Sequence, residues 1–182
     1  MPVRRKYIRS VVDKLLVTQR IQSAPVQVEN IARALGADVV YQPADDDLSG
    51  FLFRDYKQRS AIIGVNAKHH PNRQRFTIAH EIGHFLLHEY EGFHFDGTNQ
   101  GFQLRLRDEE SSKGTDDDER EANLFAAELL MPKRFLETDI AKIVDLDLLD
   151  DDADSLKTLA ARYQVSAQAL TYRLVNLDYV HL

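Results

Sequence analysis

Apolar residues recur at helical spacing over 7–21, where Ile8, Val11, Val12, Leu15 and Leu16 share one side and charges occupy the other. This pattern predicts an amphipathic helix. Val28, Ile31, Ala32 and Leu35 form the next stripe and predict a helix over 25–35, closed by Gly36 at its C′ position. The period then shortens. Residues 38–42, 50–55 and 60–65 are short apolar runs separated by polar turns, which predict three strands of a small antiparallel sheet. Pro71 interrupts the chain, and helical spacing returns over 72–89 through Phe76, Ala79, Ile82, Gly83, Leu86 and Leu87. Residues 90–115 are rich in Gly, Asp, Ser and aromatics and predict a long surface loop, a place where function often resides. A second strong helix is expected over 116–131, stopped near Pro132. The acidic stretch 139–154 predicts a short helix and a solvated loop. Residues 155–177 read as two helices around a turn at Val165 and Ser166. The whole is an α+β chain with a mostly helical C-terminal part, organised as a body over 1–138 and a helical tail over 139–182 packed on it.

Composition narrows the options. At 182 residues with 43% hydrophobic content, the chain can build one real core. A net charge of -6 argues against general nucleic-acid affinity, because phosphate binding needs a basic footprint. The chain has no cysteine, so a metal site must draw on His, Asp or Glu. No apolar run approaches membrane-span length, and the basic start is interrupted by Asp13 and Lys14. The expectation is a soluble cytoplasmic protein without a signal peptide.

The chemistry lies in His80-Glu81-Ile82-Gly83-His84. On a helix, His80 and His84 stand one turn apart and point the same way, a separation that lets two imidazoles share one tetrahedral zinc ion. Glu81 sits about 100° around the helix from His80, where it can reach a water on the ion without being a ligand. The bland alternative is a surface helix with two unrelated histidines. Apolar flanks on both sides argue against it, since unpaired polar groups on a buried helix are costly.

A catalytic zinc needs a third protein ligand. The metzincin pattern would require a histidine where Tyr90 stands, and it fails. The predicted helix over 116–131 offers glutamates. Glu119, Ala122, Asn123, Ala126 and Leu130 fall on one face, so Glu119 shares the inward side, while Glu121 points about 200° away, toward solvent. Asn123 is placed to hydrogen-bond an imidazole N–H. Glu119 has a second reading, as the capping-box partner of an Asp116 N-cap; the Asp116-to-Asp118 run itself is helix N-terminal charge. His88 reads as a structural or outer histidine, because one site needs only three protein ligands. His69 and His70 precede Pro71 in a loop and read as solvent-exposed.

The segments Pro25-Val-x-Val-Glu-x-Ile-Ala, Ser49-Gly50, Val65-Asn66, Arg73-Gln-Arg-Phe-Thr-x-Ala-His-Glu-x-Gly-His, Glu119-x-x-Ala-Asn-x-Phe-Ala-Ala-Glu-Leu-Leu-Met-Pro132 and Leu159-Ala-Ala-Arg-Tyr-x-Val-Ser-x-x-Ala-Leu resemble the ImmA/IrrE family of metallopeptidases. The resemblance implies a zincin-like fold of gluzincin type, with His80, His84 and Glu119 binding zinc and Glu81 as catalytic base. It also implies a helix-turn-helix repressor as substrate, cleaved to switch on genes of mobile elements or stress responses. The alternative is a DNA-binding regulator that uses the C-terminal helix pair through Lys157, Arg162 and Arg173. Residues 60–65 are an expected pairing edge for an extended substrate. Tyr90, His94 and Tyr163 are candidate oxyanion donors, and Phe93, Phe95 and Phe102 candidate loop anchors.

Overall fold

The structure is a computed structural model that describes residues 3–55, 60–88, 92–97, 115–144 and 153–180. In chain order the described elements are α1 (Arg5–Thr18), α2 (Val28–Ala34), β1 (Ala37–Gln42), β2 (Leu48–Asp55), β3 (Ser60–Asn66), α3 (Pro71–Leu87), β4 (Gly92–Gly97), α4 (Thr115–Leu130), α5 (Lys133–Val144), α6 (Ala153–Tyr163) and α7 (Ala167–Asn176). The fold is α+β and mostly helical.

The sheet order is β1-β3-β2-β4. Strands β2 and β3 are antiparallel, with Leu52 opposite Ile63. Strand β1 runs parallel to β3, with Ala37 opposite Ala61. The sheet is therefore mixed, not wholly antiparallel. The β2–β3 hairpin returns β3 between β1 and β2 in the direction of β1, and an alternation pattern carries no pairing direction. A second correction concerns the predicted loop. Residues 92–97 pair antiparallel with β2, Phe95 opposite Phe51, and extend the sheet. Tyr90 and Phe102 lie outside the described residues, as do the side chains of Phe93, His94 and Phe95. A third correction follows from the strand order: β3 is flanked on both sides and offers no open edge to a substrate.

One sheet face turns Leu52, Ala61, Ile63 and Val65 into the core, where Ile78, Ala79 and Ile82 of α3 meet them. Helix α1 adds Ile8, Val12 and Leu16; α4 adds Phe125, Leu129 and Leu130. Helices α3 and α4 make the most extensive contact between helices. At Gly83 a Cβ would lie 3.1 Å from Ala122 Cα and 3.2 Å from Phe125 Cβ. A Cβ there requires Ala122 or Phe125 to give way by a few tenths of an ångström, so glycine suits this close approach.

The C-terminal pair is tied down by charge. Buried Arg173 on α7 donates to Glu128 on α4 (Nη1 to Oε1, 2.9 Å), and Arg9 on α1 donates to the same Oε1 at 2.8 Å. Arg162 and the Tyr163 hydroxyl both donate to Asp139 Oδ2, at 2.7 and 2.9 Å. Of the three cations that the DNA-binding alternative needs, Arg173 is thus buried in an ion pair, and Arg162 is paired with Asp139 while its side chain stays half-exposed. Among the described residues no helix is long and apolar enough to cross a membrane.

Two outcomes are expected. Gly83→Val should destabilise the protein by about 1–3 kcal/mol in urea denaturation, through overpacking at the α3–α4 crossing. Burial raises the Glu128 carboxyl, but Arg173 and Arg9 outweigh it and hold the group below its usual 4.5. A carboxylate with a depressed folded pKa stabilises above its unfolded value, and that contribution fades as pH falls through the folded value. Glu128→Gln should therefore flatten the acid limb of the stability–pH curve below about pH 4.5, and Arg173→Ala should cost about 3–5 kcal/mol near neutrality.

Candidate metal centre

Helix α3 is fixed at both ends. Pro71 occupies its first turn, and the His70 side chain accepts from the Asn72 amide at 3.2 Å, closing the start. At the other end Arg54, a buried cation on β2, donates to the carbonyls of Phe85 (2.8 Å) and His88 (3.1 Å). Those carbonyls have no partner within the helix, and a cation suits the negative end of its dipole. Sequence reasoning passed over Arg54. The available signal was its place on the inward face with Leu52, where a cation must find acceptors.

The held helix presents His80, Glu81 and His84, exposed by only 2%, 0% and 0%. His80 Nε2 lies 2.9 Å from His84 Nε2. Glu119, on α4, places Oε2 3.2 Å from His80 Nε2 and Oε1 3.4 Å from His84 Nε2. One donor atom from each of these residues fits within a mutual 4.8 Å. Ligand atoms about 2.0–2.2 Å from a tetrahedral zinc stand roughly 3.3–3.6 Å from one another. The observed separations sit at or just inside that edge, so the donor set fits a small divalent cation with little movement. Glu119 keeps its side chain one-third exposed, on the open side of an otherwise buried cluster. Helix α4 begins at Thr115, so Glu119 lies beyond the first turn and Asp116 is itself helical; the capping-box reading does not hold.

The remaining imidazole nitrogens are engaged. His80 Nδ1 lies 3.1 Å from Asn123 Oδ1, an acceptor that puts the imidazole proton on Nδ1 and leaves Nε2 with its lone pair. His84 Nδ1 lies 3.2 Å from His88 Nδ1. His88 Nε2 faces Glu121 Oε2 at 3.3 Å and Asp118 Oδ1 at 3.5 Å. Burial is the main force that lowers His88 below the usual histidine value, against the pull of Asp118 and Glu121.

Glu121 overturns an expectation. It is buried, not solvent-facing, because Arg4, just before α1, and His88, at the end of α3, close over it. The backbone N–H and Nε of Arg4 donate to its Oε1 at 2.8 and 3.0 Å. Hydrogen bonds from the Arg4 side chain are the chief cause that holds the carboxyl down at about 2. Arg4 itself carries no sequence signal beyond a basic start. Tyr163 points elsewhere, to Asp139, and does not serve as an oxyanion donor here.

Beside the cluster runs a cleft of about 860 Å³ between the start of α3 and the α6–α7 pair, lined by Arg73, Phe76, Val165, Ala169 and Tyr172 among others. The Phe76 ring, which lines the cleft, stands 6.4 Å from that of His80.

The IrrE N-terminal-like domain of the Peptidase M78 family matches residues 32–175. No curated protein matches the chain. Among solved structures, a Mycobacterium tuberculosis transcriptional regulator is similar at TM-score 0.59 and 15% identity, over 93% of this chain and 46% of that one. The likeness is one of fold, and the chain spans less than half of the neighbour's length.

Zinc titration followed by calorimetry should give one equivalent bound, and His84→Ala or Glu119→Ala should abolish it. At free zinc about 100 times the dissociation constant, the native protein should gain about 2.7 kcal/mol of stability, a gain that the variants lose and a chelator reverses.

Proposed function

The chain belongs to the IrrE N-terminal-like family of M78 metallopeptidases, and from that premise we propose that it is a zinc-dependent endopeptidase of ImmA/IrrE type. Its proposed substrate is a helix-turn-helix repressor of transcription in the cytoplasm, cut to release the genes it represses. The observation that carries the reading is the convergence of His80, His84 and Glu119 around a point next to a fully buried Glu81.

In this reading His80 and His84 hold the ion through Nε2 and Glu119 through its carboxylate. Zinc there would supply Lewis acidity, bringing the pKa of a water to about 7 and polarising the scissile carbonyl. The chain's own contribution is to place and move protons. Glu81 accepts the proton of the attacking water on its carboxylate and returns it to the departing amine, a role typically worth about 10²–10⁴-fold. Its carboxylate lies under strand β2, where a Cβ on Gly50 would stand 3.6 Å from Glu81 Oε1 and 2.4 Å from Thr77 Cγ2. The bare backbone at Gly50 lets the strand lie this close to Thr77, one turn before the base. Asn123 holds the His80 ring in the tautomer that ligation needs.

The cleft beside Phe76 supplies an apolar floor for substrate side chains, edged by Arg73 and Lys157. Charge also supports the proposed partner. A repressor that binds DNA carries a basic surface, which a chain of net charge -6 attracts. The DNA-binding alternative has less support, since Arg173 is buried in its pair with Glu128 and Arg162 is engaged by Asp139.

The test is incubation with a helix-turn-helix protein encoded beside this chain's gene, read by intact mass. Cleavage at one site is expected, stopped by chelator and restored by zinc. Glu81→Gln should bind zinc as the wild type does and cleave about 10²–10⁴-fold more slowly. A Glu81→Gln protein cutting at the normal rate would overturn the role given to this carboxylate.

A further inference from the structure

His84 has two ring nitrogens with different neighbours. Nε2 faces the candidate ion position beside His80 and Glu119, while Nδ1 faces His88 Nδ1 at 3.2 Å. An imidazole ligates through an unprotonated nitrogen, so a neutral His84 that ligates through Nε2 keeps its proton on Nδ1. That N–H needs an acceptor. His88 Nδ1 is an acceptor only when His88 carries its own proton on Nε2. This nitrogen faces the carboxylates of Glu121 at 3.3 Å and Asp118 at 3.5 Å, which accept. Glu121 is fixed in turn by the backbone N–H and guanidinium of Arg4, which only donate.

With a cation on His84 Nε2, one direction of protons satisfies the groups behind that ring. His84 Nδ1–H donates to His88 Nδ1, His88 Nε2–H donates to Glu121, and Arg4 donates to the same carboxylate. Reversing the direction would leave the His88 Nε2 lone pair against a carboxylate oxygen inside the protein, where unpaired polar groups are costly. His88 and Glu121 have side chains only 6% exposed, so water does little to relieve such a clash.

We propose that His88, Glu121 and Arg4 form a positioning relay that holds His84 in the tautomer and ring orientation in which its Nε2 ligates. The relay rests on the reading of His80, His84 and Glu119 as ligands, and adds to it a dependence on the N-terminal segment. Arg4 lies outside residues 32–175, the part that the family match covers. His80 needs only Asn123 for the same purpose; His84 draws on α3, α4 and the residue before α1.

The experiment has two arms. In the first, zinc-loaded protein labelled at histidine nitrogens is read by long-range proton–nitrogen correlation NMR. His88 should carry its proton on Nε2; a His88 protonated on Nδ1 overturns the relay. In the second, zinc affinity is measured against a chelating indicator, with near-ultraviolet circular dichroism to confirm folding. His88→Phe and Glu121→Gln should each lose about 10–100-fold, the Gln because its amide N–H₂ faces His88 and reverses the proton order. His88→Asn, whose Oδ1 replaces the acceptor, should recover most of what His88→Phe loses. Unchanged affinity in folded His88→Phe overturns the relay. Wild-type protein that fails to bind zinc overturns the ligand reading instead.

Discussion

Helix α4 lies close against α3, at a distance that glycine suits, and most of the structure's chemistry depends on that contact. With Gly83 opposite Ala122 and Phe125, the backbones come close enough for a short carboxylate on one helix to meet two imidazoles on the other. The same contact fixes the rotation of α4. Three of its glutamates then have distinct destinations: Glu119 at the imidazoles, Glu121 at Arg4 and His88, Glu128 at Arg9 and Arg173. Burying a carboxylate costs several kcal/mol unless cations or N–H donors surround it. A turn of α4 by one residue, about 100°, would remove these partners together. The helix is locked by electrostatics as much as by its apolar face.

The same constraint explains how the site is held rigid. Catalytic and binding side chains must be kept within about 0.5 Å of productive geometry by their surroundings. Here the carrier helix is gripped at its start by His70 and at its end by Arg54, while its histidines are gripped by Asn123 and His88. The groups behind the site come from β2, α4 and the segment before α1. A buried cluster of this size must place its polar atoms with one another, because no water is at hand to make up a missing partner. Asn66 does similar work outside the centre. It accepts from the Ala44 and Lys68 amides and donates to the carbonyls of Asp45 and Leu48, fixing the turns on either side of the β2–β3 hairpin.

Much of this was legible in the residues. Helical spacing predicted α1, α3, α4 and the α6–α7 pair, because amphipathic periodicity is local and survives without knowledge of neighbours. The positions of His80, Glu81 and His84 follow from helix geometry alone. Glu119 and Asn123 were also within reach, since they share the small-residue face that packs inward. The strand pairing was not. Short alternating runs say that a strand forms but not which edge it joins or in which direction, so the parallel β1–β3 pair and the β4 edge came only with the fold. Glu121 was misjudged for a related reason. One helix's own pattern defines the side facing its strongest partner; it does not reveal that Arg4, from before α1, and His88, from the end of α3, close over Glu121.

The sequence by itself determined the local chemistry of this protein: two imidazoles and a carboxylate on one turn of helix, and a second helix with a carboxylate on its apolar flank. Only the tertiary structure decided how those groups are backed, through Arg54, His88, Glu121 and Arg4. The physical reason is range. Helix periodicity acts over a few residues and can be read along the chain, whereas the pairing of a buried charge joins residues as far apart as Arg4 and Glu121, and nothing but the folded core dictates which of the many possible partners it meets.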